Sequence, residues 1–169
     1  MQFLQGEFAQ FYNIRKDREG AFWRDRYHST MIQSGEHLAR CLFYIDLNMV
    51  RAGVVMHPRD WRHGGYHELS GARQRYRIIN LERVLNCLAR DTGQLNGFQS
   101  WYETTLNEKL ESGYHVREAF WSEAFAIGDR EWVEGIHAKF EFSRKKIVTA
   151  DSAGHLMLGE QTSPYYFEG

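Results

Sequence analysis

The sequence predicts an α+β chain in which helices predominate, and three observations support that prediction. Apolar residues recur at intervals of three and four in several segments, which is the spacing of a helix with one buried face. Segments rich in aromatic and β-branched residues, which favour strands, are short and few. The 169-residue chain is 43% hydrophobic and 15% aromatic. A chain of that length and composition can bury a hydrophobic core, so it is expected to fold.

The first thirty residues predict a helix, a charged turn and a strand. Apolar residues of one helical face recur at Leu4, Phe8, Phe11 and Tyr12. The charged turn NIRKDREG, residues 13–20, ends this helix, and AFWRDRYHSTMI, residues 21–32, has the composition of a strand. Alternation along such a strand places Arg24, Arg26 and His28 on one side.

A second helix is predicted over residues 35–51. Ser34 is expected to cap its amino terminus, and Gly53 is expected to close its carboxyl terminus in a left-handed conformation. At about 100° per residue, two faces separate along this helix. The apolar face, which is expected in the core, carries Leu38, Leu42, Ile45 and Met49. The polar face carries His37, Arg40, Tyr44, Asn48 and Arg51. Tyr44 is expected to face outward or into a cleft.

Beyond Gly71 the pattern changes to plain amphipathic helices. One helix is predicted by Leu81, Val84, Leu85 and Leu88, and another by Phe98, Trp101, Tyr102 and Leu106. Asp129 is expected to cap a further helix with the inner face Trp132, Val133, Ile136 and Phe140. HLML, residues 155–158, predicts a short strand. The change of pattern predicts a domain over residues 1–72 and a helical extension over residues 73–169.

The net charge of −1 is the sum of a basic half and an acidic half. Residues 1–90 hold 14 Lys and Arg against 9 Asp and Glu, a net charge of +5. Residues 91–169 hold 7 against 13, a net charge of −6. A basic first half favours contact with a polyanion, although ordinary variation of surface charge is the alternative.

The polar face of the second helix has the residue types of a phosphodiester-cleaving site. A free phenol has a pKa of about 10, so a nucleophilic Tyr44 would need nearby cations or a metal to activate it. Arg40 lies one turn and Arg51 two turns from Tyr44, and these arginines can activate the phenol or bind a phosphodiester. The carbonyl oxygen of Asn48 is a ligand suited to Mg²⁺ or Mn²⁺. A solvated helix face with a half-buried tyrosine is the alternative.

Two motifs together resemble the signature of single-tyrosine transposases of the HUH superfamily, in the bacterial branch associated with repetitive extragenic palindromes. That family has a W-x-x-R-Y strand, matched here by Trp23, Arg26 and Tyr27. A helix reading Y-I-x-x-N-P-V-R-A-G follows it in the family. The residues that match that helix are Tyr44, Ile45, Asn48, Val50, Arg51, Ala52 and Gly53. The similarity covers about residues 5–70.

The resemblance implies metal-dependent cleavage and rejoining of single-stranded DNA, with recognition of hairpin ends. By position, Tyr44 would be the nucleophile that forms a 5′-phosphotyrosine link, and Asn48 would be a ligand of the divalent metal, Mg²⁺ or Mn²⁺. Arg40 and Arg51 would screen the phosphate charge. The residues expected to contact the DNA backbone are Arg15, Lys16, Arg18, Arg24 and Arg26.

The sequence departs from the family pattern in three places. Met49 stands at the position of the usual proline, and the loop after Trp61 reads RHGGYHEL where the family tends to have PWSSY. The family's metal is held mainly by a His-hydrophobic-His strand upstream of the tyrosine, and no two histidines of this sequence are two residues apart. The chain is therefore expected to correspond to the carboxyl-terminal portion of a longer transposase and to cleave DNA poorly by itself.

Two further classes remain open beside a transposase. The chain could be a module that binds DNA hairpins and cuts nothing, or a decayed transposase remnant that folds poorly or only as a homodimer. The expected partner of a transposase and of a hairpin-binding module is single-stranded or hairpin DNA.

Other features of the sequence argue against several classes of protein. The start lacks the basic and apolar regions of a signal peptide, and no segment approaches the roughly 20 apolar residues of a membrane span, so a cytoplasmic protein without a membrane partner is expected. Cys41 and Cys87 are expected to be reduced and buried. The spacing of His57, His63 and His67 fits no standard zinc pattern. The aromatic residues of the second half are expected in the core rather than stacked on bases.

Overall fold

The structure is a computed structural model of the chain. The structure describes residues 2–23, 29–72, 75–88, 95–113, 117–140, 145–149 and 156–160. Within these residues the protein is mixed α+β and predominantly helical, as the sequence predicts.

Helices occupy most of the described residues. The α-helices are α1 Gln2–Arg15, α2 Glu36–Asp46, α3 Asn48–Arg51, α4 Tyr66–Leu69, α5 Leu81–Cys87, α6 Leu95–Glu111, α7 Phe120–Glu123 and α8 Arg130–Phe140. A short 3₁₀ turn at Pro58–Asp60 precedes α4. Helices α2 and α3 continue one another across Leu47, because the Leu47 amide donates to the Phe43 carbonyl and the Arg51 amide donates to the Leu47 carbonyl.

The strands form a small sheet that joins distant parts of the chain. They are β1 Met31–Ile32, β2 Ala126–Gly128, β3 Lys145–Thr149 and β4 Leu156–Glu160, in the spatial order β1-β2-β4-β3. Strand β1 pairs in parallel with β2, and the other pairs are antiparallel. Strand β4 confirms the strand predicted at HLML. Of the strand predicted over residues 21–32, the structure has only Met31–Ile32 in the sheet, and residues 24–28 lie outside the described residues.

The largest hydrophobic cluster draws on both sides of the predicted boundary between residues 72 and 73. Phe43 and Leu47 meet side chains of α5 and α6 in this cluster, whose buried members are Phe43, Leu47, Tyr66, Leu69, Leu81, Leu85, Leu88, Phe98, Tyr102 and Leu106. In the described part of the chain, residues 1–72 and 73–169 therefore share one core. The division itself stays a prediction about the sequence.

Two smaller clusters cover the faces of the sheet. One packs α7 against α2 and β2, with the buried residues Cys41, Phe120, Trp121, Ala124 and Ile127. The other packs α8 onto the sheet, with the buried residues Ala126, Val133, Leu156 and Leu158. Phe98, Tyr102, Phe120 and Trp121 are thus core residues, as expected from their spacing.

Helix caps account for where two of the predicted helices begin or end. The Asp129 carboxylate accepts a hydrogen bond from the Trp132 amide at 2.9 Å, so the predicted cap of α8 is confirmed. Gly53 has φ +67°, and the Gly53 and Val54 amides donate to the Val50 and Met49 carbonyls. This hydrogen-bond pattern is a Schellman motif, which confirms the predicted left-handed end.

The predicted cap at Ser34 is wrong. Gly35 occupies the cap position of α2 with φ +82°, a conformation that glycine adopts without strain, and no side chain caps the helix. The Gly35 amide donates instead to the Cys87 carbonyl at 2.7 Å, so the start of α2 is set by its contact with the end of α5. That long-range contact leaves no signal in the local sequence.

Helix α1 packs on the chain segment that follows it. Phe8 and Tyr12 contact the rings of Phe22 and Trp23, and the Trp23 indole donates to the Gln5 carbonyl at 2.9 Å. The helix predicted from Leu4, Phe8, Phe11 and Tyr12 is present, but most of its apolar face is not buried. Leu4, Phe8 and Phe11 are all exposed.

The cysteines differ from each other in exposure. Both are free thiols, but Cys41 is buried and Cys87 is exposed, so the expectation that both are buried is wrong for Cys87. Burial raises the pKa of the Cys41 thiol to about 11.

Phe140, expected on the inner face of α8, is also exposed. Within the ranges that the structure describes, each helix is too short or too polar to span a bilayer.

Candidate functional site

Helix α2 is turned differently from the orientation that its apolar pattern predicts. Phe43 and Leu47 are buried in the main cluster, whereas Ile45, which was expected in the core, is 57% exposed. Leu38 and Leu42 are half-buried against the same cluster, so the prediction holds for them in part. The helix packs against α5 and α6 on one side and against α7 on another, and Ile45 lies in the direction that neither covers.

Tyr44 lies half-buried between an arginine and a tryptophan. The Arg51 guanidinium carbon lies 3.9 Å from the centre of the Tyr44 ring, the distance of a close cation–π contact. On α7, the Trp121 ring lies 5.8 Å from the Tyr44 ring, centre to centre. The expectation that Tyr44 faces outward or into a cleft is met in part, because the ring is partly covered by Trp121.

Arg51 contacts the backbone of Tyr44 as well as its ring. Its Nη2 donates a hydrogen bond to the Tyr44 carbonyl at 2.6 Å. Its Nη1 is buried and has no hydrogen-bond partner among the described residues. A buried cationic donor without an acceptor is costly, and an anion would satisfy Nη1 only after a side-chain shift exposes that atom.

Arg40, from the same predicted polar face, is paired with α7 and the residues just before it. Its Nη2 lies 3.7 Å from Oε1 of Glu118, and its guanidinium carbon lies 5.9 Å from the centre of the Trp121 ring. The Trp121 indole in turn donates to Oε2 of Glu118 at 2.6 Å. Arg40 and Tyr44 therefore share one neighbour, Trp121, from the second half of the chain.

Asn48 lies one turn beyond Tyr44 and is exposed. It lines a cavity of about 220 Å³ between α2, α3 and the start of α4, together with Asp46, Trp61 and His63. The divalent metal that the family resemblance implies would need further ligands there. Within the described residues, no group of three His, Cys, Asp or Glu side chains could hold a metal ion. The donors present around Asn48 thus do not fit Mg²⁺ or Mn²⁺, which are held by several oxygen ligands.

Asp46 is a buried carboxyl group that the patterns of the sequence did not predict. It accepts a hydrogen bond from the Tyr102 hydroxyl at 2.8 Å and further bonds from the backbone amides of Gly65 and Tyr66. Those amides belong to the first turn of α4, so Asp46 joins α2, α4 and α6. Burial raises the pKa of Asp46 to about 6, and the three hydrogen bonds oppose that rise. The sequence signal was the carboxylate two residues from Tyr44, followed by the Gly64-Gly65 pair.

Polar contacts also fix the loop between α3 and α4. His57 accepts from the Arg59 amide through Nδ1, so its Nε2–H donates to the Asn107 side chain at 3.0 Å. Oε2 of the buried Glu68 accepts from the amides of Ile78 and Ile79, both at 2.7 Å. The His57 contact holds this loop against α6, and the Glu68 contacts hold α4 against the chain segment before α5.

The other residues predicted to contact DNA lie near the carboxyl end of α1 or outside the described residues. Arg15 and Lys16 are exposed, and Arg18 donates to the Ala21 carbonyl at 3.3 Å. Arg24 and Arg26 lie outside the described residues. Of the seven basic residues that the sequence singled out, the structure places Arg40 and Arg51 in the surroundings of Tyr44.

No protein-family model, no curated protein and no solved structure matches this chain. The family resemblance therefore stays a prediction from the motifs.

Proposed function

We propose that this chain is a transposase-like protein that binds single-stranded or hairpin DNA, with Tyr44 as the residue that attacks a phosphodiester. The observation that carries the proposal is the Arg51 guanidinium. It lies on the ring of Tyr44 and keeps a buried Nη1 donor that no described residue satisfies. A phosphate is an acceptor of the right charge for that donor once the side chains around Nη1 shift to admit it. The net charge of +5 on residues 1–90 supports the same polyanionic ligand.

The proposed reaction is the one that the family resemblance implies. The phenol oxygen of Tyr44 forms a bond to phosphorus, and the bond from phosphorus to the 3′ oxygen breaks. The phenol proton is lost, and the departing oxygen takes up a proton to leave a 3′-hydroxyl. The products are a 5′-phosphotyrosine link and a free 3′ end, and reversal of the step rejoins the strand. Arg51, and Arg40 when it is not paired with Glu118, would balance the charge on the phosphate.

A non-catalytic DNA-hairpin-binding module is the second candidate. The donor set around Asn48 favours it, because the described residues there do not make a metal site. Without a metal or another activating group, a phenol is a weak nucleophile. Both candidates require DNA binding beside Tyr44, and they differ only in whether a covalent link forms.

Binding is tested with the Arg51→Met variant. We expect its affinity for a labelled hairpin oligodeoxynucleotide to be about tenfold lower than that of the unaltered protein, since a charge-assisted contact to phosphate is lost. The matched control is Arg83→Met on α5, which removes the same charge from an exposed residue. Fluorescence anisotropy at fixed salt measures both. Equal weakening by the two variants would contradict the assignment of Arg51 to the DNA site.

Covalent chemistry is tested on the same oligodeoxynucleotide with Mn²⁺, followed by denaturing electrophoresis. We expect little or no protein–DNA adduct from this chain, because the described residues do not assemble a metal site. An adduct that is absent with Tyr44→Phe would establish the nucleophile and contradict the expected inactivity. Binding without any adduct would favour the hairpin-binding module, and absence of both would contradict the proposed function.

A further inference from the structure

Glu118 contacts a cationic donor on the polar face of α2 and a neutral donor on α7. Its Oε1 lies 3.7 Å from Nη2 of Arg40, and the two side chains are only 17% and 19% exposed. Its Oε2 accepts from the Trp121 indole at 2.6 Å. One carboxylate thus takes both a cationic and a neutral donor beside the Tyr44 ring, in surroundings where water screens the charges less than at an open surface.

The two donors that Glu118 occupies are those that a phosphate would use. A guanidinium binds carboxylates and phosphates with the same planar array of N–H groups. An indole N–H donates equally to either anion. Trp121 is buried against α2 and β2 and contacts Tyr44, so it stays in place when Glu118 moves. A phosphate that replaced the carboxylate would find both donors already positioned close to the tyrosine.

We propose that Glu118 is an intramolecular competitor for a DNA phosphate at Arg40 and Trp121. This inference rests on the proposed function, since it names the contact that DNA must displace at the Tyr44 site. Release requires only rotation of the Glu118 side chain, because the residue precedes α7 and the core contacts of that helix are made by Phe120 and Trp121. The acidic second half of the chain thereby lowers the affinity of the basic first half for DNA.

The test compares Glu118→Gln with Glu123→Gln. Both variants remove one negative charge, and Glu123 is exposed on α7. We expect Glu118→Gln to bind a labelled single-stranded oligodeoxynucleotide about 2–5-fold more tightly than the unaltered protein, which is the range for a partly exposed ion pair. Glu123→Gln should change the affinity by less than about 2-fold, through general charge alone. Adding Arg40→Met to Glu118→Gln should abolish the gain.

Each outcome decides between the alternatives. A gain that is specific to Glu118→Gln and depends on Arg40 supports the competition, and so does binding by Glu118→Gln when the unaltered protein does not bind. Equal increases in DNA affinity for the two glutamate variants would show that net charge alone causes the effect, and would overturn the inference. Binding by the unaltered protein with no change in Glu118→Gln would overturn it as well, while leaving the proposed function intact. Absence of binding by every variant would overturn both. Equal thermal unfolding of the two glutamate variants excludes misfolding as the cause.

Discussion

Replacement of Asp46 by alanine is expected to lower the free energy of unfolding by about 3–4 kcal/mol. The substitution leaves the Tyr102 hydroxyl without its acceptor and removes the side chain that binds the first-turn amides of α4. Tyr102 is completely buried, so water cannot take the place of the carboxylate. Urea unfolding monitored by tryptophan fluorescence measures the loss. Asp60→Ala is the control, because this exposed carboxylate should contribute less than about 0.5 kcal/mol.

The same group predicts a pH dependence whose sign follows from its pKa. Burial raises the pKa of Asp46 from 3.8 to about 6 in the folded chain, so between these values the folded state binds more protons here than the unfolded state. Stability from this group is therefore complete below about pH 4 and is lost as the pH rises through about 6. Asp46→Asn cannot titrate. The unfolding free energy of the unaltered protein relative to Asp46→Asn should be larger at low pH, by roughly 2–3 kcal/mol at most. A difference that does not vary with pH would contradict the assigned pKa.

Leu47→Ala is expected to cost about 2–5 kcal/mol, whereas Ile45→Ala should cost less than about 1 kcal/mol. Leu47 is 1% exposed and packs in the main cluster, but Ile45 is 57% exposed. The two substitutions remove side chains of equal size from neighbouring positions, so their difference reports which face of the helix is buried. Leu42→Ala should fall between them, because Leu42 is half-buried. If Ile45→Ala proved as costly as Leu47→Ala, the helix would be oriented as its apolar pattern alone predicts.

Local features of the fold were predictable where the residues that contact each other are also close in sequence. The Asp129 cap and the Gly53 terminus use hydrogen bonds between residues three to five apart, and both are found as predicted. The apolar spacing of α5 and α6 likewise predicts their inner faces, where six of the eight predicted residues are buried and Val84 and Trp101 are half-buried. The physical reason is that caps and helical faces depend on short-range geometry that the residue types alone encode.

Features set by distant contacts were not predictable in the same way. Gly35 replaces Ser34 at the start of α2 because its amide bonds to Cys87, and Ile45 is exposed because α2 packs on two other sides. For the candidate site, the helical spacing does bring Arg51 to Tyr44. The spacing carries no information that Trp121 covers Tyr44 or that Glu118 pairs with Arg40. Those contacts depend on where α7 packs, which single-sequence patterns do not reveal.

The pairing of β1 with β2 has a consequence for how the protein is made on the ribosome. Met31 and Ile32 emerge early, but their sheet partners Ala126 and Ile127 emerge only when most of the chain has been synthesised. Trp121 and Glu118 emerge just before those partners. Until they emerge, Tyr44, Arg40 and Cys41 lack the contacts with α7 and Glu118 that the folded protein has, so closure of this face is a late, long-range event of the kind that slows folding. Chaperone binding to the unfinished chain should accordingly be strongest before α7 leaves the exit tunnel.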